Sequence, residues 1–246
     1  MAPDWRGLYP AASVSAERRV VSSRRLNCFV DEMGNADMSA GLYLVTLVFH
    51  DHNRMLDSPI ADYKERISAG GLPDIPFHMV DLLHGKEGYA SFEPVIRKPL
   101  LYAFATFVRT LPISYVTFSF DAKQVKNQVE LEAAIHREVS SFLFDRLDIF
   151  QQYNEVVVYY DGGSPVVGRS VRAAFDFSLA RNVTNYRLLV YSERRLMQAA
   201  DYLNSIELAA IRYERGEQSK TYERFLGDAG KFKRNLLKSA RRLRWS

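Results

Sequence analysis

Apolar runs of strand length and segments of helical periodicity follow one another along this chain in an order that few architectures accommodate. Two runs, LNCFV (26–30) and GLYLVTLVF (41–49), are neighbours. The segment between them, rich in Gly, Asn and Asp, predicts a turn and therefore a β-hairpin. Three more runs, ISYVTFSF (113–120), EVVVYY (155–160) and YRLLVYS (185–191), alternate with helical patterns. Those patterns cover 54–69, ended by Gly70-Gly71; 92–111, interrupted by Pro94 and Pro99; 127–150; a stretch near 165–180; and 195–214, stopped by Gly216. Residues 72–91, with two prolines and two histidines, read as an irregular connection. A hairpin followed by strands alternating with helices predicts an α/β fold, a mixed sheet with helices on its faces. Residues 1–24 read as an N-terminal arm, 25–216 as the domain, and 217–246 as a basic helical tail.

The chain is long enough, at 246 residues, to bury one large core, and a hydrophobic content of 47% excludes a disordered bulk. Its apolar runs fall short of the roughly 18–20 residues that cross a bilayer, so no membrane partner is expected. The first residues lack the basic-then-apolar pattern of a secretory signal, and a cytoplasmic location is the expectation. A single cysteine, Cys28, excludes an intramolecular disulfide and a thiolate zinc site. The net charge of +4 hides an asymmetry. Residues 231–246 carry seven Lys and Arg and no acid, which leaves −3 for residues 1–230. Such a tail can contact phosphates without regard to sequence, or it can pack as a helix on the domain or on a partner.

Acidic residues close three of the strand runs. Asp31-Glu32 follows the first, Asp121 the third and Asp161 the fourth, with glycines close behind at Gly34 and Gly162-Gly163. Open α/β sheets place ligands beyond the carboxyl ends of their strands. A single such acid is an ordinary turn former; recurrence points to a shared site. The 195–214 helix is apolar around most of its circumference, yet Gln198, Asp201, Tyr202 and Ser205 share one stripe. Asp201 lies too far into that helix for its own macrodipole to stabilise it, so it needs a partner. If Asp31, Asp161 and Asp201 converge, each pair at 4 Å repels by about 4 kcal/mol at an effective dielectric near 20. A divalent cation relieves that repulsion, and an all-oxygen donor set favours Mg²⁺ or Mn²⁺ over zinc.

Phe29-Val30-Asp31-Glu32-Met33-Gly34-Asn35 resembles the Asp-Glu-Ser-Gly opening of the bacterial domain-of-unknown-function 3800 family. Gln198-Ala199-Ala200-Asp201-Tyr202 is similar to that family's closing Gln-x-Ala-Asp helix. Phe77-His78-Met79 and Asp161 after a Val-rich strand sit where the family has like features, so the resemblance spans roughly residues 25–212. It implies a ribonuclease-H-like fold, a mixed five-stranded sheet flanked by helices, with Asp31, Asp161 and Asp201 as the acidic set and Glu32 as a fourth member. Met33 and Tyr191-Ser192 depart from the family's Ser and Asp-Ser at those places.

The remaining polar clusters carry less. His50-Asp51-His52 has no further ligand at metal spacing and reads as a strand end; His136 reads as structural. His78 is either a loop histidine or a proton shuttle at the site. Asp161-Gly162-Gly163 lacks the Lys-Ser/Thr of a phosphate-binding loop. Three function classes follow: a divalent-metal-dependent nuclease or related phosphodiester hydrolase, which the residues favour; a non-catalytic module of the same fold that binds nucleic acid or a protein; and, behind both, a metal enzyme acting on a small phosphorylated molecule.

Overall fold

The computed structural model describes residues 24–160, 162–179, 184–188 and 195–245. Asp161, Tyr191-Ser192 and the arm 1–23 lie outside them. Strand β1 (Arg25–Met33) pairs antiparallel with β2 (Leu42–Asp51), and β2 pairs antiparallel with β3 (Ile113–Asp121). On its other side β1 pairs parallel with β4 (Glu155–Tyr160), which pairs parallel with β5 (Thr184–Leu188). The sheet order is β3-β2-β1-β4-β5. The hairpin and the two crossover strands are thus arranged as the run order implies. The turn between β1 and β2 depends on Gly34: its φ is +123°, and a Cβ there would stand 2.5 Å from the Leu42 carbonyl oxygen.

β1 runs past the expected Val30 to Met33, so Asp31 and Glu32 lie inside a strand rather than after one. Alternation then sends neighbouring side chains to opposite faces. Leu26, Cys28 and Val30 pack in one core layer with α4 (Gln128–Phe144), α5 (Leu147–Phe150) and α6 (Pro165–Ser178). Phe29 packs in the other, with α1 (Asp57–Ala69), α3 (Pro94–Thr110) and α7 (Arg195–Arg215). Asp31 shares parity with Phe29 and Asn27, so it faces α7; Glu32 faces the α6 side. The stretch expected to be irregular contains a short helix, α2 (Met79–His84), closed by Gly85 and by Arg97, which donates to the Leu82 and Leu83 carbonyls at 2.6 and 3.0 Å. Asn127 caps α4, as its Oδ1 accepts from the Glu130 N–H, and Glu130 Oε2 accepts from the Lys126 N–H just before the helix.

The basic C-terminal segment is part of the core. After α8 (Lys220–Leu226) come α9 (Ala229–Phe232), a π-helical stretch (Lys233–Leu237) and α10 (Lys238–Arg241). Phe232, Leu236, Leu237 and Ala240 are buried against the α7 layer. The chain then runs along the open edge of β3: Tyr115 N–H donates to Leu243 O at 3.0 Å, and Trp245 N–H donates to Tyr115 O at 2.7 Å. Trp245 ends on the opposite face, edge-on to Phe49 at 4.8 Å. Covering β3 in this way removes an exposed row of backbone donors and acceptors. Arg241 and Arg244 approach Glu207 of α7 at 2.9 and 3.9 Å, and Tyr115 donates its hydroxyl to the same buried carboxylate at 2.7 Å. No helix among the described residues is long and apolar enough to cross a membrane.

Arg241→Met removes the closest cation from a buried carboxylate while keeping the packing of the side-chain stem. Its unfolding free energy should fall by about 2 kcal/mol, because a buried acceptor loses a charged donor. Urea denaturation reads this directly, and an unchanged midpoint would show that the C-terminal segment is not anchored through Glu207.

Candidate functional site

The β1–β4 ladder ends at the pair Val30–Tyr160, so Asp31 lies one residue beyond the paired end of β4. That edge opens into a cleft of about 620 Å³ lined by residues from four stretches of chain. Asp31 and Glu32 come from β1, His78 and Asp81 from the start of α2, Gly163 from the loop after β4, and Asp201 from α7. Four of the five site residues expected from sequence, Asp31, Glu32, His78 and Asp201, therefore line one cleft. The fifth, Asp161, lies outside the described residues, between Tyr160 and the cleft-lining Gly163.

Asp201, Asp31 and Glu32 each accept a hydrogen bond from a neutral donor. Asp201 is 3% exposed, and its Oδ2 accepts the Met79 N–H at 2.8 Å, the first turn of α2. This is the partner that a buried aspartate two turns into a helix requires. Asp31 Oδ2 accepts from Asn204 Nδ2 at 2.7 Å, one turn further along α7. Asn204 is fully buried; its Oδ1 accepts from Thr46 Oγ1 at 3.1 Å, and Thr46 meets Thr117 at 2.7 Å. The chain of contacts therefore crosses from α7 through β1 and β2 to β3. Asn204 was not among the polar stripe read from sequence, although the rule that marked Asp201, a polar residue on a buried helix, applies to it equally.

Glu32 faces the other side of the strand. Its Oε1 accepts from the Ser164 N–H at 2.7 Å and from the Tyr160 hydroxyl at 2.8 Å. Burial, and then the adjacent Glu32 carboxylate, push the Tyr160 hydroxyl far above the ordinary phenol range, so it remains a donor. A Cβ on Gly163 would come 2.4 Å from Glu32 Oε1, and glycine is the residue that lets this loop approach the carboxylate.

His78 sits at the N-terminus of α2 in extended conformation. Its backbone N–H donates to Tyr89 Oη at 3.3 Å, and Tyr89 in turn donates to the Pro76 carbonyl at 2.9 Å, which fixes the loop. Nδ1 lies 2.5 Å from Asp81 Oδ2, so the proton on Nδ1 is directed to Asp81 and Nε2 is turned toward Asp201 Oδ1, 3.8 Å away. Asp81 was not read from the sequence; its i+3 spacing from a candidate histidine across a helix start is the signal that could have found it.

Asp121 does not join the cleft. It terminates β3 at the sheet edge, where the Lys123 N–H and then the Arg215 guanidinium, 2.6 Å away, hold its carboxyl below the usual range. His50 is a buried strand residue bonded to the Arg54 carbonyl at 3.0 Å, as a strand end should be. The possible ligands among its lining residues are carboxylates and one imidazole, a donor set of the kind a hard divalent cation takes. Among the described residues, no group of three or more His, Cys, Asp or Glu side chains is gathered closely enough to hold a metal ion.

Neither the protein-family models nor the curated proteins contain a match to this chain. Among solved structures, a chain of the PCNA:RNase HII complex from Archaeoglobus fulgidus is similar, at 11% identity over 87% of each chain with a TM-score of 0.41. A likeness of that size carries no argument about what this chain does.

Asn204→Leu keeps the volume of a buried side chain but deletes the donor to Asp31 and the acceptor for Thr46. The unfolding free energy should drop by about 2 kcal/mol, within the usual range for orphaning buried polar groups. Asn204→Asp should cost more, since it sets a second carboxylate beside Asp31. Equal stability of both variants and the parent in urea titrations would remove Asn204 as the residue that positions Asp31.

Proposed function

We propose that this chain is a ribonuclease-H-like, divalent-metal-dependent hydrolase of nucleic-acid phosphodiesters. The observation that carries the reading is the convergence of Asp31, Glu32, His78 and Asp201, distant in sequence, on one cleft at the carboxyl end of β1. The strand order, with an acid on the first strand and another on the long helix that follows the last strand, is in keeping with the fold that the resemblance implies.

In this reading Asp31, Asp161 and Asp201 hold Mg²⁺ or Mn²⁺. The ion, when bound, supplies Lewis acidity toward the scissile phosphate and lowers the pKa of the attacking water. The protein's own groups do the rest. Asn204 and the Met79 N–H hold Asp31 and Asp201 in fixed orientation, so little reorganisation accompanies substrate binding. Glu32, held by Ser164 and Tyr160, keeps a second line of negative charge at the cleft floor. His78, oriented by Asp81, presents Nε2 to the cleft, where it can take up or deliver a proton as the leaving oxygen departs. The carboxylates act as ligands and not as nucleophiles.

Asp201→Asn tests the reading. Asn can still accept the Met79 N–H through its Oδ1, and the exchange removes one charge from a repelling group. The melting temperature should therefore hold or rise slightly, while Mg²⁺- or Mn²⁺-dependent cleavage of labelled DNA or RNA oligonucleotides should fall about 100-fold or more. Cleavage that survives the substitution, or a melting temperature lowered by many degrees in metal-free buffer, would mark Asp201 as a structural acid.

A further inference from the structure

We propose that the groove between α3 and the C-terminal helical segment is a polyanion track, which holds the phosphate backbone of a nucleic acid through Arg109, Arg234, Lys238 and Arg242. The inference rests on the nuclease reading only for the identity of the polymer; the chemistry of the groove stands by itself.

The groove has a volume of about 430 Å³. One wall is a single face of α3, where Tyr102, Ala105, Thr106 and Arg109 recur at helical spacing. The other wall is formed by residues 234–242. Four cations and no acid line it, and all four are exposed. None of the four makes an ion pair among the described residues. The nearest acid along the chain, Asp228, caps α9 by accepting the Lys231 N–H at 2.8 Å and pairs with that lysine's ammonium.

The fold itself sorts five of the seven cations of the basic segment. Arg241 and Arg244 are turned inward to Glu207, whereas Arg234, Lys238 and Arg242 are turned outward to face Arg109 across the groove. The last three recur every fourth residue, about 6 Å apart along a helix axis. A row of charges at that spacing matches a repeating phosphate better than a compact anion, which wants its donors convergent on one point. A membrane surface fits less well, because interfacial binding needs a large exposed apolar face beside the charges, and of the groove's apolar residues Leu236 is buried and Ala105 is small, which leaves Tyr102. Position also favours the cleft's polymer. Arg97 ties α3 to α2, whose first turn lines the cleft, and Arg109 lies twelve residues on, about 18 Å along the α3 axis.

The test is fluorescence anisotropy of the full-length chain with a 20-nucleotide single-stranded oligonucleotide in EDTA, at several salt concentrations. The triple variant Arg109→Gln, Lys238→Gln, Arg242→Gln is compared with a control of equal charge loss on exposed residues elsewhere, Arg54→Gln, Lys64→Gln, Lys126→Gln. The groove variant should bind at least about 10-fold more weakly at low salt. Its slope of log affinity against log salt should flatten by about 2, as about 0.7 per lost single-strand contact implies. The control should change affinity less than threefold. Equal losses in the two variants, no binding by the parent, or binding only to anionic phospholipid vesicles would each overturn the proposal. Asp201→Asn separates this outcome from the nuclease reading. Groove-dependent binding without any Asp201-sensitive cleavage keeps the track and rejects the enzyme; Asp201-sensitive cleavage with an inert groove does the reverse.

Discussion

Helix α7 is buried along fifteen consecutive residues, Leu196 to Ala210, between the sheet and an outer layer of helices. On a helix so enclosed, a charged or amide side chain is costly unless it finds a partner. Three do so at three-residue intervals, and each ties α7 to a different part of the fold. Asp201 takes the first N–H of α2, Asn204 reaches Asp31 of β1 and Thr46 of β2, and Glu207 gathers Tyr115 of β3 with the arginines of the C-terminal segment. The position of the cleft follows from the first two of these ties, and the closure of the sheet edge from the third.

Satisfying polar groups in this way does not by itself distinguish a catalytic acid from a structural one. Glu207 is a structural acid: its partners are two arginines and a tyrosine, and it lines no cleft. Asp31 and Asp201 differ because their carboxylates line a cleft, Asp31 beside Asn204 and Asp201 beside the Met79 N–H and His78. In the reading proposed above, a hard divalent cation is the counter-charge that their oxygen donors suit. The charge sorting of the C-terminal segment obeys the same logic. Cations that meet a buried carboxylate are engaged by the fold, and those on the opposite face remain available to an external polyanion.

Much of this could be read from the residues alone. The hairpin and the crossover strands followed from the run order. Asp201 stood out because an aspartate on an apolar helix must have a partner, and Gly163 because a glycine followed a strand-end acid. Other features could not be read because they depend on which elements meet. Asp121 had the same local signature as Asp31, an acid at the end of an apolar run, but Arg215 lies beside it and the cleft does not. Asp31 was placed after a strand because Asp and Glu are poor strand formers; pairing with β2 carried the strand through both. The tail's role turned on the spacing of Phe232, Leu236 and Leu237, which the density of charge around them obscured. Asn204 and Asp81 needed the three-dimensional neighbours of Asp31 and His78 to acquire meaning.

The central claim is that the acids at the end of β1 and on α7 form a divalent-metal centre. Its most direct test is a crystal of the full-length protein soaked in Mn²⁺, with anomalous diffraction used to locate the ion. The account places a manganese peak in the cleft with carboxylate oxygens of Asp31 and Asp201 about 2 Å away. A soak that leaves this cleft without a peak, or that puts manganese only on surface carboxylates such as Asp121, would contradict it.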